Sequence, residues 1–262
     1  MKIRPKKSLG QNFLIDQNII KKIVDVGDIE KKDSILEVGP GTGNLTDYLI
    51  KKNPKKIFVV EKDADLIKLL NNKFKKTIKI INKDILKTKL ETITKDNLII
   101  YGNLPYNIST QILINWITNY KKKPFLKKLI LMFQKEVADR ILSKTNTNQY
   151  GRLSIISNWQ LVVKKEFDIS PNCFYPKPKV YSSLLSFIPK KDFFVFQDPK
   201  NLEYITRVFF NQKRKMINKP LKKIFKDDVK IVKKLNLNVK LRPHNLDPLV
   251  YFNLTKEYEK IK

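Results

Sequence analysis

The chain has 262 residues, 42% of them hydrophobic, enough for one large domain or two unequal ones. Its 54 Lys and Arg against 25 Asp and Glu leave a net charge of +29, which points to a polyanionic partner, most simply nucleic acid; Lys, Asn and Ile are abundant throughout, so part of the excess is background. One cysteine (Cys173) and one histidine (His244) exclude an intramolecular disulfide, a Cys/His zinc site and a Cys–His catalytic pair, and favour a reducing, cytoplasmic setting. No apolar run reaches the roughly 18 residues of a membrane span, and the basic N-terminus lacks a signal peptide's apolar core.

In chain order, residues 6–18 (KKSLGQNFLIDQN) read as an arm that docks a helix, with Asp16 as its cap and an unusual Gln11-Asn12 pair before Phe13. A short apolar strand (Ile35, Leu36, Val38) then ends in Gly39, Gly41 and Gly43, and a helix begins near Asn44. Glycines in that strand-turn-helix setting let a ligand approach the backbone closely. Their spacing is GxGxG rather than GxGxxG, and Glu37 just inside the strand end would repel a pyrophosphate, so the ligand expected is one without phosphates.

A second strand, residues 56–60, ends at Glu61, about 20 residues past the glycine turn, where an acid can hold ribose hydroxyls. A third, Ile78–Ile81, leads to Asp84, a carboxylate able to accept the amine hydrogens of an adenine. Each acid could instead be a cap or a solvated loop charge. The fourth strand (Leu98, Ile99, Ile100) delivers Gly102-Asn103-Leu104-Pro105-Tyr106, an amide, a stiffened backbone and an aromatic ring in one turn. Those are the parts needed to grip a flat aromatic amine, although Asn-Pro turns also occur as plain punctuation.

Residues 121–128 (KKKPFLKK) read as a basic loop, Leu129–Phe133 as a fifth strand, Tyr150–Leu161 as a helix and Val162–Ile169 as a sixth strand. In Cys173–Ser183 two prolines define a rigid loop carrying Phe174, Tyr175, Lys177 and Lys179, suited to base stacking and phosphate contact or else to a buried proline corner. Beyond about residue 190 the apolar spacing turns helical, with Arg207, Lys213 and Arg214 on a basic face, so a domain boundary is expected there: 1–190, then a small all-α domain, 191–262.

The segments SLGQNFLID, EVGPGTGNLT, VVEKD, NKDIL, YGNLPYNIST, FYPKPKVYSS, VFFNQKRKM and RPHNLDPLVYFNL together resemble the ribosomal RNA adenine dimethyltransferases, and within them the small-subunit (KsgA/RsmA) type. The resemblance implies an α/β Rossmann-like methyltransferase fold, a mostly parallel seven-stranded sheet with helices on both faces. It implies S-adenosyl-L-methionine as cofactor and no metal. Asn12, Leu14, Gly39 and Gly41 would embrace that cofactor, Glu61 would hold its ribose, Asp84 its adenine amine, and Asn103 would lie where cofactor and target meet. Asn103 and the Leu104 carbonyl would take the target amine beside Pro105, with Tyr106 on one face of the base and Phe174 on the other.

The implied activity is dimethylation of two adjacent adenosines near the 3′ end of small-subunit (16S) rRNA within an assembling subunit, by a cytoplasmic monomer whose 191–262 domain binds RNA through Arg207, Lys213 and Arg214, with Lys177 and Lys179 on the loop. The alternatives are a large-subunit dimethyltransferase of the macrolide-resistance type and a non-catalytic RNA-binding relative. Leu104, where the resistance branch tends to isoleucine, and the retained Asn103, Tyr106 and acids weigh for the small-subunit enzyme.

Overall fold

The computed structural model describes residues 4–6, 9–119 and 125–262. After a short strand β1 (Phe13–Leu14), helix α1 (Gln17–Asp25) starts where Asp16 accepts a hydrogen bond from the Ile19 amide at 3.0 Å, the cap expected of that residue. Strand β2 (Ser34–Val38), helix α2 (Asn44–Lys51), strand β3 (Lys56–Glu61), helix α3 (Ala64–Phe74) and strand β4 (Lys79–Asn82) follow in alternation. Strand β5 (Leu98–Gly102), helix α4 (Ser109–Thr118), strand β6 (Leu126–Gln134), helices α5 (Lys135–Leu142) and α6 (Arg152–Gln160), and strands β7 (Leu161–Ile169), β8 (Phe174–Tyr175) and β9 (Ser182–Pro189) complete the α/β part. Four helices close the chain: α7 (Lys200–Phe210), α8 (Asn218–Ile224), α9 (Asp228–Lys234) and α10 (Pro248–Glu259).

Seven strands form one sheet in the order β4-β3-β2-β5-β6-β9-β7. The run from β4 to β6 is parallel and β9 joins β6 antiparallel, as the resemblance implies. Central strands β2 and β5 are buried at every residue, as strands covered on both faces must be. The chain steps outward from β2 to β3 and β4, then returns to place β5 on the other side of β2. That reversal opens a crevice beyond the carboxyl ends of β2 and β5.

Two compact units emerge, and they differ from a single cut near residue 190. One gathers the described residues up to Asn115, those leading up to Ala138, and Val162–Pro189; the other gathers Trp116–Asn119, Asp139–Leu161 and Lys190–Lys262. The cause is α6, which buries residues on all sides, and whose Trp159 packs at 4.8 Å on the tilted ring of Phe196 while its Nε1 donates to the Phe194 carbonyl at 2.8 Å. Within that second unit, α7 and α10 are joined by Phe209 against Tyr251 and by the stacked pair Tyr204–Tyr258.

The basic loop expected at 121–128 is corrected in its second half; positions 121–124 lie outside the described residues. Lys127 and Lys128 belong to β6 and are tied to acids, Lys127 to Asp33 at 2.7 Å and Glu30 at 2.8 Å, Lys128 to Asp28 at 3.0 Å. Both are structural partners of the loop after α1.

Candidate active site

Parallel register brings the site together. Val38 pairs with Val60 on one side and Gly102 on the other, so Gly39, Glu61 and Asn103 leave three neighbouring strands at the same level. They open into a cleft of about 780 Å³ measured out to its mouth, lined also by Asn12, Leu14, Gly41, Leu104, Pro105 and Tyr106. This is a size suited to a small-molecule ligand. The glycine turn approaches closely because its residues sit in the left-handed region, Gly39 at φ 68° and Gly41 at φ 58°.

The arm covers this turn. A side chain on Gly41 would meet the Phe13 ring at 2.7 Å, so the ring lies directly on the glycine. The arm is held at several points: Asn44 donates to the Leu14 carbonyl at 2.8 Å, Gln11 to Asp63 at 2.9 Å, and Lys6 pairs with Asp63 at 2.6 Å and Asp65 at 2.8 Å. Burial works to raise the Asp63 carboxyl, but the hydrogen bonds from Lys6 and Gln11 bring it below its ordinary value.

Asn103 uses the arm for orientation. Its Nδ2 donates to the Asn12 carbonyl at 2.7 Å, which leaves Oδ1 as the acceptor of the amide. Leu104 buries its side chain to 1% exposure, so its carbonyl is what it can offer a polar ligand. Tyr106 anchors its hydroxyl on Ser182 Oγ at 2.6 Å, which holds the ring in place. Pro105 closes the turn into α4, accepting the Ile108 and Ser109 amides.

Two buried carboxylates face the same cleft. Glu61 accepts from the Lys62 and Asp63 amides at 2.8 and 3.0 Å; burial raises it, partly offset by those amides and that of Gly41. Burial pushes Glu37 up to about 7, against the Thr46 hydroxyl that donates to it at 2.6 Å. Among the described residues neither carboxylate has a Lys or Arg ion-pair partner, so a cationic ligand is the natural complement.

Glu37 carries a stability prediction. Between pH 4.5 and about 7 the unfolded chain releases this proton while the folded chain keeps it, so stability falls as pH rises and levels off above the folded value. The full span is about 3 kcal/mol. Glu37→Gln, which can still accept from Thr46, is expected to remove that component. Thermal denaturation of ligand-free protein from about pH 5 to about pH 8 checks it: the difference between wild type and variant grows with pH.

Of the residues singled out from sequence, Asn12, Leu14, Gly39, Gly41, Glu61, Asn103, Leu104, Pro105 and Tyr106 line one cleft. Asp84 and Phe174 do not. Asp84 turns its Oδ1 onto the Leu86 amide at 2.9 Å and caps the short 3-10 turn Ile85–Lys87, outside the cleft lining. Phe174 is 3% exposed and packs in the hydrophobic core with Leu14, its cross-strand partner, so its ring is not offered to a base. Lys177 and Lys179 are exposed on the loop after β8, and Arg207 and Arg214 are exposed in the helical unit, where Lys213 is half-buried. Sequence reasoning missed Phe13 as the roof of the turn and Met132, which reaches the lining from β6 without any motif to mark it.

Comparisons with known proteins give the family. The profile described as "Ribosomal RNA adenine dimethylase" matches residues 3–260. A "Ribosomal RNA small subunit methyltransferase A" of Pelagibacter ubique is 55% identical over 262 residues, the whole of both chains; one of Mycoplasma mobile is 40% identical, covering 94% of this chain and 95% of its own. Among solved structures, a dimethyladenosine transferase from Plasmodium falciparum superposes with a TM-score of 0.80 at 27% identity, covering 95% of this chain and 98% of that one. The 23S rRNA methyltransferase ErmE shares the fold, with a TM-score of 0.69 at 20% identity over 95% of this chain. On sequence and fold alike, this chain belongs to the ribosomal RNA adenine dimethylase family.

Proposed function

We propose that this chain dimethylates the exocyclic amines of two adjacent adenosines near the 3′ end of small-subunit rRNA, acting as a cytoplasmic monomer on an assembling subunit. The activity, rRNA adenine dimethylation with S-adenosyl-L-methionine as donor, is that of the family. The choice of small-subunit RNA is supported by the 55%-identical relative of that name. The observation that carries the chemistry is the Asn103 amide, held by the Asn12 carbonyl with its oxygen left to accept.

The residues present fit the donor. Its cationic centre suits the two carboxylates that have no Lys or Arg ion-pair partner among the described residues, Glu37 and Glu61, and Gly39 leaves open the space that a Cβ would take, with the Asn103 carbonyl the nearest atom at 3.9 Å. In this reading Glu61 accepts from ribose hydroxyls, while Asn12, Leu14, Gly39 and Gly41 enclose the rest. Bound there, the donor supplies a methyl already activated on a positively charged sulfur. Asn103 Oδ1 and the Leu104 carbonyl accept the two amine hydrogens of the target. Adenine's amine is a poor nucleophile because its lone pair is delocalised into the ring. Two acceptors below it favour a pyramidal nitrogen whose lone pair points along the transfer axis, and fixed alignment supplies much of the remaining rate. Tyr106, with its hydroxyl tethered, stacks on the base. After one methyl is added, a single hydrogen remains for two acceptors, which a neutral amide tolerates.

The helical unit is assigned RNA binding through Arg207, Lys213 and Arg214. Arg152, at the start of α6, joins them: it is half-buried, its Nε has no hydrogen-bond partner among the described residues, and burial, opposed by the charge of Glu203 and aided by that of Arg207, lowers it. An anion there would relieve both.

Primer extension on rRNA from subunits treated with the protein tests the function, because a dimethylated amine no longer pairs. Stops at two adjacent adenosines of the small-subunit RNA are expected; stops confined to large-subunit RNA overturn the assignment.

A further inference from the structure

With Phe174 in the core, the aromatic ring that β8 offers to the outside is Tyr175. Directly opposed residues of an antiparallel pair project from the same face, and successive residues alternate. Leu14 opposes Phe174, and both are buried in the core; Phe13 opposes Tyr175, and Phe13 is the ring that roofs Gly41 at the cleft. Tyr175 therefore shares the face of the ribbon from which Phe13 covers the glycine turn; it does not itself line the cleft and is 60% exposed. Lys177 and Lys179 follow it, both exposed. At its far end the loop is pinned by the Lys135 amide on the Tyr181 carbonyl at 2.9 Å and by Ser182 on Tyr106. An exposed ring at the rim, fixed on a ribbon and followed by two cations, is a stacking platform for a nucleobase whose phosphates run toward the lysines.

We infer that Tyr175 stacks the nucleotide next to the target adenosine, the base that stays outside while its neighbour occupies the cleft against Tyr106. The inference rests on the methyltransferase reading above and extends it to the second nucleotide of the pair. Tyr175 is a specificity residue: it touches RNA but not the reacting atoms.

The test uses the full-length protein without donor and single-stranded RNA containing two adjacent adenosines, one or the other replaced by 2-aminopurine, whose fluorescence is quenched on stacking. Quenching at the neighbouring position is expected with wild type and with Tyr175→Trp, and is lost with Tyr175→Ala, whose RNA affinity falls roughly tenfold. Thermal stability stays near wild type because the ring is mostly exposed. Tyr181→Ala, another exposed ring of this loop but with no cross-strand link to the arm, keeps both signals. Absence of quenching in wild type, or equal losses in the Tyr175 and Tyr181 variants, overturns the inference. Neither signal depends on methyl transfer, so such a failure leaves the primer-extension result untouched.

Discussion

Asn103→Ala is expected to abolish methyl transfer while leaving S-adenosyl-L-methionine affinity within about tenfold, roughly 1.4 kcal/mol. The separation follows from what the side chain contacts. Asn103 Nδ2 is engaged by the Asn12 carbonyl, which leaves Oδ1 as the acceptor that the proposed mechanism gives to the target amine, so alanine deletes it. Misplacement of reacting groups by about 1 Å can cost on the order of a hundredfold in rate. Loss of the acceptor together with the tether exceeds that. Calorimetry with the donor and single-turnover methylation of small subunits read the two quantities apart. Full activity in the variant would sink the assignment of Asn103, and an unmeasurable donor affinity would move the residue from target to cofactor.

Gly41→Ala is expected to be the most damaging single methyl in the cleft. At φ 58° an L side chain is strained, by about 1–2 kcal/mol. The new Cβ would also stand 2.7 Å from Phe13 Cδ1, closer than carbon atoms come without one of them moving. The arm has to lift its roof, and the Asn12 carbonyl beside Phe13 shifts with it. Donor affinity should fall by more than tenfold and stability by about the backbone strain, measured by calorimetry and thermal denaturation. Adding Phe13→Leu removes the ring but not the strain. It should restore part of the affinity and none of the stability; restoration of neither would mean that the ring is not what the methyl displaces.

The glycine turn, Glu61 and Asn103–Tyr106 were legible in the sequence because each is local: a strand end, a turn and a helix start within a few residues. The parallel register then has only to place three strand ends side by side. What was misread depended on direction or on distance along the chain. Asp84 stands at a strand end as expected; one of its carboxylate oxygens also caps its own helical turn, a use that its position in the sequence did not reveal. Phe174 and Tyr175 are adjacent aromatics, and which one faces the core is decided by pairing with Phe13 and Leu14, more than 150 residues earlier. The lysines of 127 and 128 looked like loop charge because their acids, Asp28, Glu30 and Asp33, lie about 100 residues away. Residues 139–161 read as a continuation of the catalytic part, since nothing in their own spacing shows that Trp159 is matched to Phe196.

The ribbon of Phe13–Leu14 against Phe174–Tyr175 has a consequence for timing. Four methyl groups on two adenosines demand repeated renewal of the donor, and the arm that roofs the donor's cleft shares its backbone hydrogen bonds with the strand that presents Tyr175 to RNA. Lifting one strand strains the other. Any lifting of the arm to renew the donor would pull on that pairing and on the Lys6 and Gln11 contacts to Asp63. An enzyme built this way loosens its hold on RNA each time it reloads, and partly methylated subunits should accumulate as free intermediates.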